Sequence, residues 1–149
     1  KAKMPHVLFL CTGNYYRSRF AEILFNHEAV ATGHPWRAFS RGLALDNNNV
    51  GPISIHTQAR LEEMQIPFDT YLRLPQDVSR NDFDAADHIV AVKQAEHRPL
   101  MRRRFEDVMN RVEYWGVHDL DCSGPKQALD HLEQEVRGLI QRLASMPHE

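Results

Sequence analysis

Short apolar runs alternate along the chain with longer segments in which apolar residues recur at helical spacing. Residues 7–10 form a continuous apolar run bounded by His6 and Cys11, which predicts a strand buried on both faces of a parallel sheet. Beyond the next polar loop, the apolar positions within 20–25 cover one broad face and predict a helix capped by Ser18. The chain therefore opens with a strand, a loop and a helix.

The same alternation continues through the rest of the chain. Further strands are predicted at 36–40, 88–92 and 112–115, and further helices at 53–64, 79–83, 98–105 and from Pro125 to 143. Pro99 sets the start of the helix at 98–105, because proline is tolerated only near a helix start. Alternating strands and helices predict an α/β fold, a four-stranded parallel sheet with helices on both faces. Ligands of such sheets bind at the carboxyl ends of strands, where Cys11 lies.

Composition narrows the class of protein. The 149 residues, 42% of them hydrophobic, fit a single domain over residues 1–149. A formal net charge of -2 provides no overall basic field for nucleic acid or an anionic membrane. No apolar stretch approaches the ~20 residues of a membrane-spanning helix and no signal-peptide core is present, so we expect a cytoplasmic protein. Two cysteines, Cys11 and Cys122, are too few for a disulfide framework and leave a thiol available for chemistry.

Residues 11–18 read Cys-Thr-Gly-Asn-Tyr-Tyr-Arg-Ser and place a thiol and a guanidinium at the two ends of a turn that enters a helix. Backbone N–H groups of such a turn, with the helix N-terminus, form a concave anion site. Gly13 and Asn14 tolerate positive φ, which lets these amides point inward. We therefore predict that phosphate, a tetrahedral oxyanion, binds against Thr12, Gly13, Asn14, Tyr15, Tyr16 and Arg17.

Three side chains of this turn suit nucleophilic chemistry. A helix N-terminus and a nearby cation favour the thiolate of Cys11, which is the nucleophilic form. Ser18 can donate its hydroxyl to that thiolate, and Arg17 offers a planar fork to two oxygens of the anion. Their spacing after a buried strand indicates a catalytic cysteine rather than a small buried side chain.

The turn resembles that of the low-molecular-weight protein tyrosine phosphatase family, in which Cys-x-Gly-Asn-x-Cys-Arg-Ser follows the first strand. Ser40-Arg41-Gly42 is similar to the family's Ser-Ala-Gly, and the resemblance covers nearly the whole chain. It implies phosphate-monoester hydrolysis through a phosphocysteine on Cys11, with no cofactor and no metal. The implied substrate is a phosphorylated protein, phosphotyrosine above all, or a small phosphate ester, with inorganic phosphate as product. The expected form is a monomer or a weak homodimer.

Such a mechanism needs a general acid that then acts as base toward water. His118-Asp119-Leu120 stands in place of the family's Asp-Pro loop, so the resemblance assigns this role to Asp119. Asp121 lies two residues further on and remains an alternative. His118, beside Asp119, is a candidate to tune the acid, but an exposed loop histidine is the favoured interpretation. The nine histidines form no two-histidine helical pair and join no cysteine cluster, so we expect no metal site.

The chain departs from the family's motifs around the turn. Tyr16 replaces the family's second cysteine, so the adjacent-cysteine disulfide cannot form, and whether Cys122 reaches Cys11 stays open. The loop around Asp119, the acid loop, lacks the aromatic residues that wall the substrate ring in many members of the family. Tyr15, Tyr16 or the loop 41–50 are candidates to replace that aromatic wall. The bulk of Tyr15 argues against phosphoarginine, on which some relatives with a small residue at this place act.

Two more positions differ from the family's pattern. Val92-Lys93 occupies the place of a Met-Asp pair, and Arg19 that of the proline that commonly follows the loop serine. We expect Arg19 to be exposed on its helix and to add local positive charge.

Two other functional hypotheses remain. A catalytically weak phosphate-binding module would use the same turn without releasing phosphate. Arsenate reduction also uses a related loop, but it needs further cysteines to relay the oxidation, and only Cys122 remains. The joint presence of Cys11, Arg17, Ser18 and Asp119 favours the hydrolase.

Overall fold

The computed structural model describes residues 4–120 and 123–145. Within these ranges the strands are β1 (His6–Cys11), β2 (Arg37–Gly42), β3 (His88–Ala91) and β4 (Val112–Tyr114). The α-helices are α1 (Arg17–Ala31), α2 (Ile55–Glu63), α3 (Arg80–Ala85), α4 (Gln94–Arg104) and α5 (Pro125–Ser145), with short 3-10 turns at Asp69–Tyr71 and Met109–Arg111. The predicted alternation of strands and helices is confirmed.

The four strands form one parallel sheet in the order β2-β1-β3-β4. β1 is central, and its last residue, Cys11, pairs in register with Gly42 at the end of β2. A side chain at Gly42 would come within 2.8 Å of the carbonyl oxygen of Thr12, so only glycine lets β2 end this close to the loop after β1. The carboxyl ends of β1 and β2 therefore meet tightly behind Cys11.

Helices cover both faces of the sheet, as predicted. On one face, Phe9 of β1 packs in a core with Phe25 of α1 and Leu132 of α5. On the other face, Leu10 of β1 joins a core that includes Phe83 of α3, together with residues of α4. Alternate side chains of β1 therefore enter two cores, which explains its continuous apolar sequence.

Two helix starts were predicted wrongly. Ser18 does not cap α1, which begins at Arg17 without a side-chain cap. α4 begins at Gln94 rather than at residue 98 and contains Pro99. The amide hydrogen that Pro99 lacks would have bonded to the carbonyl of Ala95, and both residues lie on the exposed face, where water can satisfy that carbonyl.

The start of α4 is anchored by tertiary contacts instead of by a sequence signal. The backbone N–H of Gln94 donates to the carbonyl of Trp115 at 2.7 Å. This hydrogen bond helps to place the first turn of α4 at the carboxyl end of β3, on the same sheet edge as Cys11. Among the described residues, no helix combines the length and the apolar character that crossing a bilayer requires.

Candidate active site

The loop between β1 and α1 lines a cavity of about 290 Å³ at the carboxyl edge of the sheet. Cys11 closes β1 and is 2% exposed, whereas Arg17 opens α1 and is equally buried. The cavity is lined by Cys11, Thr12, Gly13, Tyr15, Tyr16, Arg17, Asp46, Asn49, Ser54, Asp119 and Leu120. The structure thus brings together most of the residues that the sequence singled out.

Ser18 contacts the candidate nucleophile directly. Its Oγ lies 2.9 Å from the Sγ of Cys11 and accepts a hydrogen bond of 2.9 Å from Nδ2 of Asn14. Because Asn14 takes an acceptor position on this oxygen, the hydroxyl hydrogen of Ser18 can be directed at the sulfur. A donor at that place can stabilise negative charge on the sulfur when it acts as nucleophile or leaving group.

Asn14 fastens the loop from inside. It is fully buried, has φ 51°, and its Nδ2 also donates to Oγ of Ser40 at 3.0 Å. Its Oδ1 accepts from Nη1 of Arg73 at 2.9 Å and from the N–H of Gln76 at 3.0 Å. These contacts use the whole hydrogen-bonding capacity of the amide. Asn14 adopts the positive φ that its residue type tolerates, whereas Gly13 does not.

A second polar cluster supports Asn14 from behind. Ser40 donates its hydroxyl to Oε1 of Glu22 at 2.6 Å, and Nη2 of Arg73 lies 3.5 Å from the same oxygen. Burial raises the pKa of Glu22, although Ser40 and Arg73 oppose that effect. Glu22 and Arg73 were missed at the sequence level, since an acidic residue on a helix and an arginine in an irregular segment carry no distinguishing pattern.

The prediction of an exposed Arg19 was wrong. Arg19 is fully buried rather than exposed, and its guanidinium donates to the carbonyls of Pro52 at 2.9 Å and Tyr71 at 2.8 Å. Burial lowers the pKa of Arg19 to about 10, with Arg73 adding to the effect. The side chain therefore ties α1 to the two segments that contain Pro52 and Tyr71.

Arg17 is held by protein groups on both terminal nitrogens. Nη1 donates to the carbonyl of Val117 at 3.0 Å, and Nη2 donates to Oε2 of Glu96 at 2.9 Å. Oδ2 of Asp119 lies 3.4 Å from Nη2. Burial works against the charge of Arg17, but Cys11, Glu96 and Asp119 outweigh it and raise its pKa. The remaining N–H groups can bind two oxygens of a phosphate.

Glu96 and its neighbour His97 were not predicted as site residues. Glu96 receives hydrogen bonds from Arg17 and from the hydroxyl of Thr12. Burial works to raise the pKa of Glu96, but the neighbouring ring of His97 and hydrogen bonds from Arg17 and Thr12 outweigh it and hold that pKa well below its usual value. The available signal was position alone, an acidic residue in the first turn after a strand at the same sheet edge as Cys11.

Asp119 lies where the sequence analysis expected it, on the loop after β4. It is half-buried, lines the cavity and accepts the N–H of Leu120 on Oδ1 at 2.8 Å. His118 is exposed and does not line this cavity. The alternatives that involve Asp121 and Cys122 lie outside the described residues. The acid role of Asp119 stays a prediction.

The two loop tyrosines have different environments. Tyr15 lines the cavity and donates its hydroxyl to the carbonyl of Val50. Tyr16 is 6% exposed and packs edge-on against His56 at 6.2 Å. Burial, and next Asp119, raise the pKa of Tyr16 to about 12. Tyr15 therefore provides an aromatic surface near the cavity mouth, and Tyr16 mainly fills space beside the loop.

Among the described residues, no group of three or more histidine, cysteine or acidic side chains is placed to hold a metal ion.

Comparison with known proteins gives one family. The model of the family described as low molecular weight phosphotyrosine protein phosphatase matches residues 6–147. No curated protein sequence matches the chain.

Several solved structures share the fold. YfkJ from Bacillus subtilis is 24% identical, with coverage of 96% of each chain and a TM-score of 0.83. SP-PTP, a low molecular weight protein tyrosine phosphatase from Streptococcus pyogenes, is 23% identical over 98% of this chain and 95% of its own, with a TM-score of 0.73. The YwlE arginine phosphatase from Geobacillus stearothermophilus is 20% identical over 97% of this chain and 99% of its own, with a TM-score of 0.74. At these identities the similarity establishes the fold.

Proposed function

The chain belongs to the low molecular weight phosphotyrosine protein phosphatase family, a family of cysteine-dependent phosphatases, and from this premise we propose that it hydrolyses phosphate monoesters through a phosphocysteine on Cys11. One observation carries the proposal. The Sγ of Cys11 lies 2.9 Å from the hydroxyl of Ser18, in a cavity that Arg17 and Asp119 also line. The proposed nucleophile, oxyanion ligand and proton donor thus lie within one site, which supports the proposal.

The first step forms the phosphoenzyme. The thiolate of Cys11 attacks phosphorus, an S–P bond forms and the ester P–O bond breaks. Arg17 and the amides of the loop bind the phosphoryl oxygens, on which charge is spread in the transition state. Asp119, protonated, transfers its proton to the departing oxygen, so that the alcohol or phenol leaves neutral.

The second step hydrolyses the phosphocysteine and regenerates the free thiolate of Cys11. Asp119, now a carboxylate, accepts a proton from water, the water oxygen bonds to phosphorus and the S–P bond breaks. Inorganic phosphate is released and the sulfur leaves as a thiolate, which the Ser18 hydroxyl at 2.9 Å stabilises. No cofactor enters either step.

Phosphotyrosine is the proposed substrate group. The ring of Tyr15 lines one side of the cavity and Leu120 contributes apolar surface from the acid loop, so that an aryl group can pack between them. We further propose that the physiological substrate is a cytoplasmic phosphoprotein or a small phosphate ester, and that the working form is a monomer or a weak homodimer, which sedimentation velocity measures.

The test compares phosphate release from three peptides that carry phosphotyrosine, phosphoserine or phosphoarginine. We expect the largest kcat/KM for phosphotyrosine and no turnover by Cys11→Ser, with Cys122→Ser as the matched cysteine control that keeps activity. Full activity of Cys11→Ser would overturn the proposed mechanism. Tight binding of inorganic phosphate without turnover of any ester would support a phosphate-binding module instead. A larger kcat/KM for phosphoarginine would replace phosphotyrosine by phosphoarginine as the substrate group.

A further inference from the structure

Oε2 of Glu96 accepts hydrogen bonds from both ends of the loop at residues 11–17, which we call the phosphate loop. Nη2 of Arg17 donates to it at 2.9 Å, and the hydroxyl of Thr12 donates to it as well. Nε2 of His97 lies 3.3 Å from the same oxygen. Thr12 follows the nucleophile and Arg17 ends the loop, so a single side chain of α4 connects the two walls of the cavity.

The protonation state of His97 follows from its contacts. The ring is fully buried, and its Nδ1 accepts the backbone N–H of Lys93 at 3.0 Å. Nδ1 therefore carries no hydrogen and Nε2 does, which assigns the tautomer from the hydrogen-bond network. Burial lowers the pKa of His97, so the ring is neutral at physiological pH.

The Nε2–H of His97 is directed at Thr12. Nε2 lies 3.1 Å from Oγ1 of Thr12, closer than to Glu96. The hydroxyl of Thr12 thus accepts from His97 and donates to Glu96, whose charge strengthens the chain of hydrogen bonds. Each donor in the series from His97 through Thr12 has an acceptor, and the series ends on Glu96, which also accepts from the guanidinium of Arg17.

We propose that His97 and Glu96 form a positioning pair that acts through Thr12 and Arg17 to hold the phosphate loop in its productive shape. The proposal rests on the proposed function and assigns a role to two residues of α4 that do not line the cavity. Neither residue contacts the reacting atoms. Because a small misplacement of a phosphate-binding arginine lowers the rate of the chemical step far more than it weakens ground-state binding, kcat is the quantity most affected.

His97→Gln and His97→Asn separate positioning from packing. The longer amide of glutamine can present an N–H near the position of Nε2, whereas asparagine can keep the acceptor for Lys93 N–H and cannot reach Thr12. We expect kcat of His97→Asn to fall about tenfold, the effect of losing one buried hydrogen bond, with KM changed by less than about threefold. His97→Gln should recover kcat to within about threefold of the wild type.

Glu96→Asp tests the second member of the pair. It keeps the negative charge but withdraws the carboxylate by one methylene from Thr12 and Arg17, so kcat should again fall about tenfold. A second histidine–glutamate pair, His88 of β3 and Glu113 of β4, does not line the cavity and serves as a matched control. His88 Nε2 lies 2.8 Å from Glu113 Oε1. His88→Asn and Glu113→Asp should leave kcat and KM unchanged.

Thr12→Val tests the same chain of hydrogen bonds without changing His97, so the test still works if the His97 variants fail to fold. The substitution removes the hydroxyl that links the pair and should lower kcat as His97→Asn does, and the double variant should lower it no further. Two outcomes would overturn the positioning role and leave the proposed function intact. The first is an equal kcat for wild type, His97→Asn and Thr12→Val. The second is an equal loss of kcat in His97→Asn and His97→Gln that parallels their loss of thermal stability. A wild type that releases no phosphate defeats the proposed function and, with it, this inference.

Discussion

The Sγ of Cys11 and the Oγ of Ser18 lie 2.9 Å apart in a buried environment, and Asn14 donates to the same hydroxyl oxygen. The serine that the sequence suggests as a helix cap is therefore a hydrogen-bond partner of the candidate nucleophile. A hydroxyl donor at this place can stabilise negative charge on the sulfur, which makes Ser18 a distinct kinetic determinant.

Ser18→Ala should slow hydrolysis of the phosphoenzyme more than its formation. A hydrogen bond to a charged group contributes about 1.5–3 kcal/mol, so the loss corresponds to roughly a tenfold to hundredfold decrease in kcat. Stopped-flow measurement with para-nitrophenyl phosphate should show a burst of phenolate followed by slow turnover. Ser145→Ala, at an exposed position in α5, serves as control. A kcat equal to that of the wild type would exclude this role for Ser18.

Asp119→Asn should reduce kcat by about 10²–10⁴ for an ester with a poor leaving group, since the departing oxygen then lacks a proton donor. The reduction should shrink for nitrophenolate, which leaves without protonation. A series of substituted phenyl phosphates gives the dependence on leaving-group pKa. Asp46→Asn, a rim carboxylate of the same cavity, is the matched control. If Asp121→Asn carries the large loss instead, the acid role passes to Asp121.

Arg73→Met should destabilise the fold by about 2 kcal/mol, because it leaves buried Glu22 without its cation and removes a donor from Asn14. Adding Glu22→Gln should recover part of the loss by removing the unpaired charge. Urea denaturation of both variants measures the free energy of unfolding.

The exposed pair Arg80 and Asp107, 2.6 Å apart, offers a control for this experiment. Arg80→Met should change the free energy of unfolding far less than Arg73→Met does, as is usual for surface ion pairs that solvent screens. A loss in Arg73→Met no larger than that of Arg80→Met would contradict a structural role for the cluster.

Stability should depend on pH through Glu113. Burial works to raise its pKa, but hydrogen bonds from His88, Arg142 and Trp115 outweigh burial and hold the pKa well below its usual value. In the unfolded chain a glutamate titrates near ~4.3, so the stabilisation is complete above that pH and is lost as pH falls through the lower folded-state pKa.

Comparison of wild type with Glu113→Gln isolates this contribution from that of Glu96. The difference in free energy of unfolding should be largest near neutral pH and should decrease in acid, as followed by denaturation in urea across the pH range. A difference that stays constant from neutral to acidic pH would show that Glu113 contributes through packing and not through its charge.

Local sequence patterns were sufficient for much of the fold and for the nucleophile. The apolar run before Cys11 predicted a buried strand, and the spacing from Cys11 to Arg17 predicted an anion-binding turn, because both features depend on residues close in sequence. The start of α4 was not predictable in this way. Its position depends on a hydrogen bond to the carbonyl of Trp115, the residue that follows β4, and this tertiary contact outweighs the local preference of Pro99 for a helix start.

The sequence by itself determined the elements, their alternation and the chemistry of residues 11–18, since hydrophobic periodicity and a contiguous motif are local properties. Only the tertiary structure decided which distant groups complete the site. Glu96 meets Arg17 across 79 positions, and Arg73 meets Asn14 across 59. Such pairs form because parallel strands bring their carboxyl ends to one edge, where buried polar groups must find partners whatever their separation along the chain.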